Sequence, residues 1–163
     1  MDGLLCAALC LDLAQEPVAV LDAHWGEDWA EALMEQELLD EFMPWLEERW
    51  QTLSEALDPA LLEQAPDALP LAQVLPWAVA PGHRALPSAA RDWASGFLCH
   101  ADSQSKSGGD VELLGVISAL TLEAGAALEA YLHQAYDRPK DIGASALIDD
   151  ALFAAQDLRR SCA

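Results

Sequence analysis

The sequence predicts an all-α fold, a single-domain orthogonal helical bundle of about six to eight helices. Three observations predict it. Alanine and leucine dominate, β-branched residues are scarce, and hydrophobic residues make up 53% of the chain, a composition that favours helix over strand. Apolar residues recur at three- and four-residue steps with acids between them, the period of an amphipathic helix. The length, 163 residues, suits one domain with a substantial core. No internal repeat suggests a solenoid, and residues 1–163 read as a single domain.

Residues 3–14 are apolar nearly all round, with Leu4, Leu5, Ala7, Ala8, Leu9, Leu11 and Leu13. A helix without a polar face belongs in an interior. Glu16-Pro17 ends it, and residues 18–29, carrying Leu21, Trp25 and Trp29, read as a short helix or a loop. From Ala30 the signal is strong: Ala30, Leu33, Met34, Leu38, Phe42, Trp45, Leu46, Trp50, Leu53 and Leu57 keep the helical step. Pro44 lies inside that pattern. It lacks a backbone donor and clashes with the preceding turn, which predicts a kink or break near residues 41–43. Asp58-Pro59 reads as a cap and first residue of a short helix over 59–64.

Prolines at 66, 70, 76, 81 and 87 leave room only for short helical pieces. One runs over residues 69–79, anchored by Leu71, Val74, Leu75 and Trp77, and residues 80–86 read as a loop. The next helix, from Pro87 to Ala101, sets Trp93, Phe97 and Leu98 along one side with Gly96 among them. A glycine inside a helix costs about 1 kcal/mol against alanine, so it marks a close backbone approach. Gly3 offers the counterpart, and the two helices are expected to cross closely at the centre of the fold. Residues 102–109 read as a mobile loop, and Asp110 as the N-cap of a long helix. That helix passes through Val111, Leu114, Ile117, Leu120, Leu128, Leu132 and Tyr136, is broken near residues 121–125, and ends at Arg138-Pro139. A last helix covers residues 143–160. The helices over 3–14, 93–99 and 111–136 are expected to form the centre.

The formal net charge is −20, and Arg49 is the only Lys or Arg before Arg84. Such a surface repels phosphate backbones and anionic lipid, which argues against direct nucleic-acid or membrane binding. It attracts basic proteins. The candidate partner-binding residues are Glu27, Asp28, Glu31, Glu35, Asp40, Glu41 and Glu48, with Trp45 among them; the plainer alternative is a solvated acidic surface. Trp45 and Trp50, five apart on one helix, cannot both face one core. One of them is a candidate to line a groove, where aromatic residues are often hot spots; the plainer alternative is a core aromatic on a wide helix face, since large rings are often only partly buried.

Cys6 and Cys10 are four apart and share a helix face, and His100 adjoins Cys99. A zinc site needs about four converging ligands, whereas these thiols sit among leucines, as buried structural cysteines do. Adjacent residues on a helix point about 100° apart, so Cys99 and His100 make a poor nucleophile–base pair. Gly108-Gly109 has neither the lysine nor the glycine spacing of a phosphate loop. No catalytic, cofactor-binding or metal residue is assigned, and the chain is not expected to be an enzyme. Residues 4–13 follow Asp2 rather than a basic segment, and no apolar run reaches the ~20 residues of a membrane span. The expectation is a cytoplasmic protein with reduced cysteines.

Three segments, taken in order, carry a family resemblance. Asp2-Gly3-Leu4-Leu5-Cys6-Ala7-Ala8-Leu9-Cys10, Trp93-Ala94-Ser95-Gly96-Phe97-Leu98 and the tail from Ala151 to Arg160 resemble the YecA/YgfB-like family of small bacterial proteins. The signature positions are Gly3, Cys10, Trp93, Gly96 and Phe97. The resemblance implies an all-helical cytosolic protein without established enzymatic activity, some relatives acting by binding other proteins. Part of that family adds a C-terminal zinc segment like that of the SecA tail, which does not carry over to Cys162-Ala163. It also implies a helix ahead of residues 3–14 that is shortened or absent here; an uncovered apolar face there favours a homodimer. The expected function is a non-catalytic protein-binding or regulatory module with an acidic face toward a basic partner. The alternatives are a metal- or thiol-dependent enzyme using Cys99 and His100 with Cys6 and Cys10, and an acidic nucleic-acid mimic.

Overall fold

Residues apolar on every side need neighbours on every side, and α1 (Asp2–Cys10) has them: every residue from Gly3 to Cys10 is buried. The computed structural model describes residues 1–33, 35–75, 77, 85–101, 108–123 and 125–162. Among the described residues there are ten α-helices and no strand. Two, α3 (Trp29–Leu33) and α6 (Pro70–Val74), span only five residues each. The longer ones are α1, α2 (Pro17–Trp25), α4 (Gln36–Ala56), α5 (Pro59–Gln64), α7 (Ser88–Ala101), α8 (Gly108–Ser118), α9 (Ala126–Ala135) and α10 (Ala144–Cys162). All of them but α5, which packs on α10, contribute to one hydrophobic core, the all-α single-domain bundle the sequence predicts.

The closest meeting of two helices is that of α1 with α7, as the two glycines predict. A Cβ built on Gly3 would lie 1.9 Å from the Trp93 carbonyl oxygen and 2.9 Å from the Phe97 nitrogen. Backbone touches backbone here, and only glycine fits. Gly96 is looser: its Cβ would meet the Leu4 nitrogen at 3.3 Å. Phe97, Leu5 and Leu152 are fully buried around the crossing helices, each contributing about 1.5–3 kcal/mol of burial. The third central helix is α10, which packs on α1 and α8. By contrast α9, half of the long helix expected at the centre, buries only Leu132.

Arginines hold both ends of α1. Arg49, on α4, donates from Nε and Nη2 to the two carboxylate oxygens of Asp2 at 2.9 and 2.6 Å. Arg159, on α10, donates to the Leu9 carbonyl at 2.7 Å, which places a cation at the helix C-terminus, where the dipole favours it. Arg160 donates to the carbonyl of Leu62, tying α5 to α10. Three of the eight Lys and Arg residues are thus committed to internal tethers.

Several boundaries differ from those expected. The first helix stops at Cys10 rather than residue 14. Asp12 takes φ 51°, and Leu13 N–H bonds back to the Ala8 carbonyl at 2.9 Å while Asp12 N–H bonds to that of Leu9. This is a Schellman-type end with aspartate where glycine is usual. The helix pattern from Ala30 is interrupted at Glu35, which is extended (ψ 152°), and α4 runs from Gln36 through Pro44 without a break. Pro44 and Asp40 are both exposed, so water can take the carbonyl that proline leaves unpaired. The piece expected over 69–79 ends at Val74, because Leu75 precedes Pro76 and is extended (ψ 128°), as a residue before proline prefers. Asp110 is not an N-cap, since α8 already begins at Gly108. The expected mobile loop at 102–109 falls outside the described residues over 102–107, and most of the expected loop at 80–86 does likewise. Asp58 does cap α5, accepting from Ala60 N–H at 2.8 Å. The break near residues 121–125 is present: a 3-10 turn, Ala119–Thr121, separates α8 from α9.

The reason for expecting a homodimer, an uncovered first helix, is removed by the burial of residues 3–10 within the chain itself. Among the described residues no helix is long and apolar enough to cross a membrane.

Candidate functional site

The candidate acidic residues of the N-terminal half stand at the surface. Glu27 and Asp28 lie in the turn before α3, Glu31 on α3, Glu35 just ahead of α4, and Asp40, Glu41, Trp45 and Glu48 on α4; all eight are exposed. The helical step puts Glu41, Trp45 and Glu48 on one stripe of α4. Asp40 falls to the side of that stripe, where it accepts a hydrogen bond from Gln36 at 2.8 Å.

Aromatic rings link the two groups of acids. Trp25 meets Trp29 at 6.0 Å between centroids, Trp29 meets Phe42 at 5.9 Å edge-on, and Phe42 meets Trp45 at 5.6 Å. These separations suit attractive aromatic pairs. Trp29 is buried at the middle of the row, and its indole N–H donates to Asp22 at 2.9 Å. The row surfaces at both ends, where Trp25 is 44% and Trp45 45% exposed. Leu38 is also exposed on α4. Trp50 packs against the core instead, so of the two tryptophans five apart, Trp45 is the one at a groove.

Trp45 stands between two hollows. One, of about 330 Å³, is lined by Asp2, Gly3, Trp77, Asp92 and Trp93 together with Trp45 and Met1. The other, of about 320 Å³, is lined by Trp45, Glu48, Arg49 and Thr52. Trp77 and Trp93 meet edge-on at 5.4 Å in the wall of the first. Trp77 and Asp92 were not among the residues singled out for binding. Trp77 reads in the sequence as a helix anchor, and nothing local marks Asp92.

The remaining titratable candidates separate. Cys6 and Cys10 are fully buried on α1. Burial pushes the Cys6 thiol up to about 12, and raises that of Cys10 well above its ordinary value; protonated thiols of this kind are unreactive. Cys99 is exposed on α7, while its neighbour His100 is buried, its pKa lowered first by desolvation and then by His24. The alternative that gathers Cys6, Cys10, Cys99 and His100 into one centre therefore has its thiols in different environments. Among the described residues no three His, Cys, Asp or Glu side chains converge to hold a metal. Of the signature positions, Gly3, Cys10, Trp93 and Phe97 are buried and Gly96 is partly so, all on the crossing helices α1 and α7.

A further hollow of about 270 Å³ lies between α8, α9 and α10, where Tyr136 donates to Asp150. Burial and that hydrogen bond raise the Tyr136 pKa. Compared with the profiles of known families, with curated proteins and with solved structures, the chain has no significant match.

Proposed function

We propose that the chain is a non-catalytic protein-binding or regulatory module whose acidic face docks a basic protein partner. The observation that carries this reading is Trp45: a large ring 45% exposed, between two hollows, in a stripe with Glu41 and Glu48. Exposed tryptophans in such settings are typical binding anchors, and the surrounding carboxylates select positive charge and speed its approach. Arg49, which lines a hollow with Trp45 and Glu48, is paired with Asp2 and not with that stripe.

We further propose membership of the YecA/YgfB-like family. Its support is that the segments carrying the resemblance meet one another, Gly3 lying against Trp93 and Phe97. A cytoplasmic location agrees with four free cysteines. The nucleic-acid mimic uses the same surface with a nucleic-acid-binding protein as partner, and competition by duplex DNA identifies it.

The test is affinity capture with the wild-type chain and with a Glu31→Gln/Glu41→Gln/Trp45→Ala variant, at low and at high salt. A partner held by the wild type, released by salt and missed by the variant supports the reading. Identical capture by both chains removes it.

A further inference from the structure

We infer that the hollow between Trp45, Trp77 and Trp93 receives an arginine side chain of the basic partner, with Asp92 as its carboxylate. This deepens the reading above and rests on it. Three indoles contribute to the lining, together with the carboxyl-bearing residues Asp2 and Asp92. Trp93 is 3% exposed, with Trp77 packed edge-on against it, so the accessible indole surface is that of Trp45, 45% exposed, and of half-buried Trp77. Indole faces attract cations, which favours a positively charged group with flat surface to stack.

The two carboxylates differ in what they have left to offer. Asp2 already takes both donors of Arg49 at 2.6 and 2.9 Å. Asp92, exposed at the start of α7, has no ion pair or hydrogen bond among the described residues. Among the described residues that line the hollow, the positive group is the amino group of Met1, which makes no ion pair with Asp92, and Arg49, which lines the neighbouring hollow, is held on Asp2. A guanidinium fits this arrangement better than an ammonium, because its planar fork stacks on indole and presents two parallel N–H groups to one carboxylate. Trp45 makes the hollow continuous with the acidic stripe of α4, so a basic partner drawn to the stripe delivers its arginine to the same place.

Calorimetric titration of the whole chain with the peptides (Gly-Arg)5 and (Gly-Lys)5 at low ionic strength tests this. The arginine peptide is expected to bind several-fold tighter than the lysine peptide. Asp92→Asn and Trp45→Ala should each weaken the arginine peptide by about tenfold and erase its advantage over lysine. Glu27→Gln/Glu31→Gln, away from the hollow, should weaken both peptides equally. Equal binding of the two peptides by the wild type, or an arginine preference that survives Asp92→Asn and Trp45→Ala, overturns the arginine site and leaves the acidic docking face standing. No binding of either peptide overturns both. Trp45 and Asp92 are exposed, and circular dichroism of the two variants separates lost contact from lost fold.

Discussion

The α1–α7 crossing and the acidic face of α4 solve opposite problems within one small domain. At the crossing, backbone lies on backbone, charge is confined to the tethered ends of α1, and a methyl added at Gly3 has no room. On the face, carboxylates stand in solvent around an aromatic ring that only part of the domain covers. The first is tuned by sterics and is insensitive to salt; the second is tuned by charge and tolerates change in shape. A protein that must present a repulsive acidic surface needs a core that does not depend on electrostatics, and α1 supplies it.

Gly3→Ala is the sharpest way to break this division. Its Cβ would sit 1.9 Å from a carbonyl oxygen in the partner helix, so α1 and α7 must move apart and uncover the residues between them. The expected loss is about 4 kcal/mol or more, in the range reserved for core disruption, read from urea unfolding. Gly96→Ala faces a contact of 3.3 Å and gains about 1 kcal/mol of helix propensity. It should change stability little. Equal losses at the two sites would mean that the crossing is not asymmetric.

The alkaline limb of the stability curve belongs to the core as well. The folded-state pKa of Cys6 is raised from 9.0 to about 12 by burial, and Cys10 shifts in the same direction. The unfolded chain therefore releases these protons first as pH rises. The stability Cys6 contributes is complete below pH 9 and is lost between 9 and 12, at up to about 1.4 kcal/mol per pH unit, and Cys10 adds to the decline in the same direction. Cys6→Ala/Cys10→Ala should start less stable, because it leaves small cavities, and should show a flatter decline over that window. Chemical denaturation at pH 8, 9 and 10 gives the slopes; parallel slopes would assign the decline to other groups, Tyr136 among them.

How much of this was legible depended on the range over which each signal acts. The glycine crossing was readable because Gly3 and Gly96 each interrupt an apolar helix for no local reason. The end of α1 was not, because Asp12 adopts a conformation usually announced by glycine. Pro44 announced a kink or a break, and α4 has no break there; Asp40, whose carbonyl proline leaves without its donor, lies on the exposed side of the helix. Glu35, where the pattern is interrupted, is neither glycine nor proline. Of the face, the acids and Trp45 were readable from charge and from the five-residue spacing to Trp50. The hollow was not, because Trp45 is far in sequence from Trp77 and Asp92, which come beside it through the packing of α6 on α4 and of α7 on α1.

Gln156 offers a gentler test of the core. It is completely buried on α10, and neither its amide nitrogen nor its oxygen has a hydrogen-bond partner among the described residues. A buried amide without partners carries a desolvation cost, so Gln156→Met, which keeps the length and removes the polar atoms, should stabilise by about 1 kcal/mol. A loss of stability would mean that the amide is satisfied by internal water.

The smallest effect is expected on the face, and its sign is informative. Glu31, Glu41 and Glu48 are exposed and make no ion pair among the described residues, so replacing each by Gln removes repulsion and no attraction. At low ionic strength Glu31→Gln/Glu41→Gln/Glu48→Gln should gain at most about 0.5 kcal/mol, and the gain should fade by 0.5 M salt as screening shortens to a few ångströms. The same variant should lose most of its affinity for a basic peptide. Stability rising while binding falls is the signature of a surface kept for its partner. If neutralising these acids instead destabilises the fold at every salt concentration, the carboxylates serve the structure and the two regions are not separable.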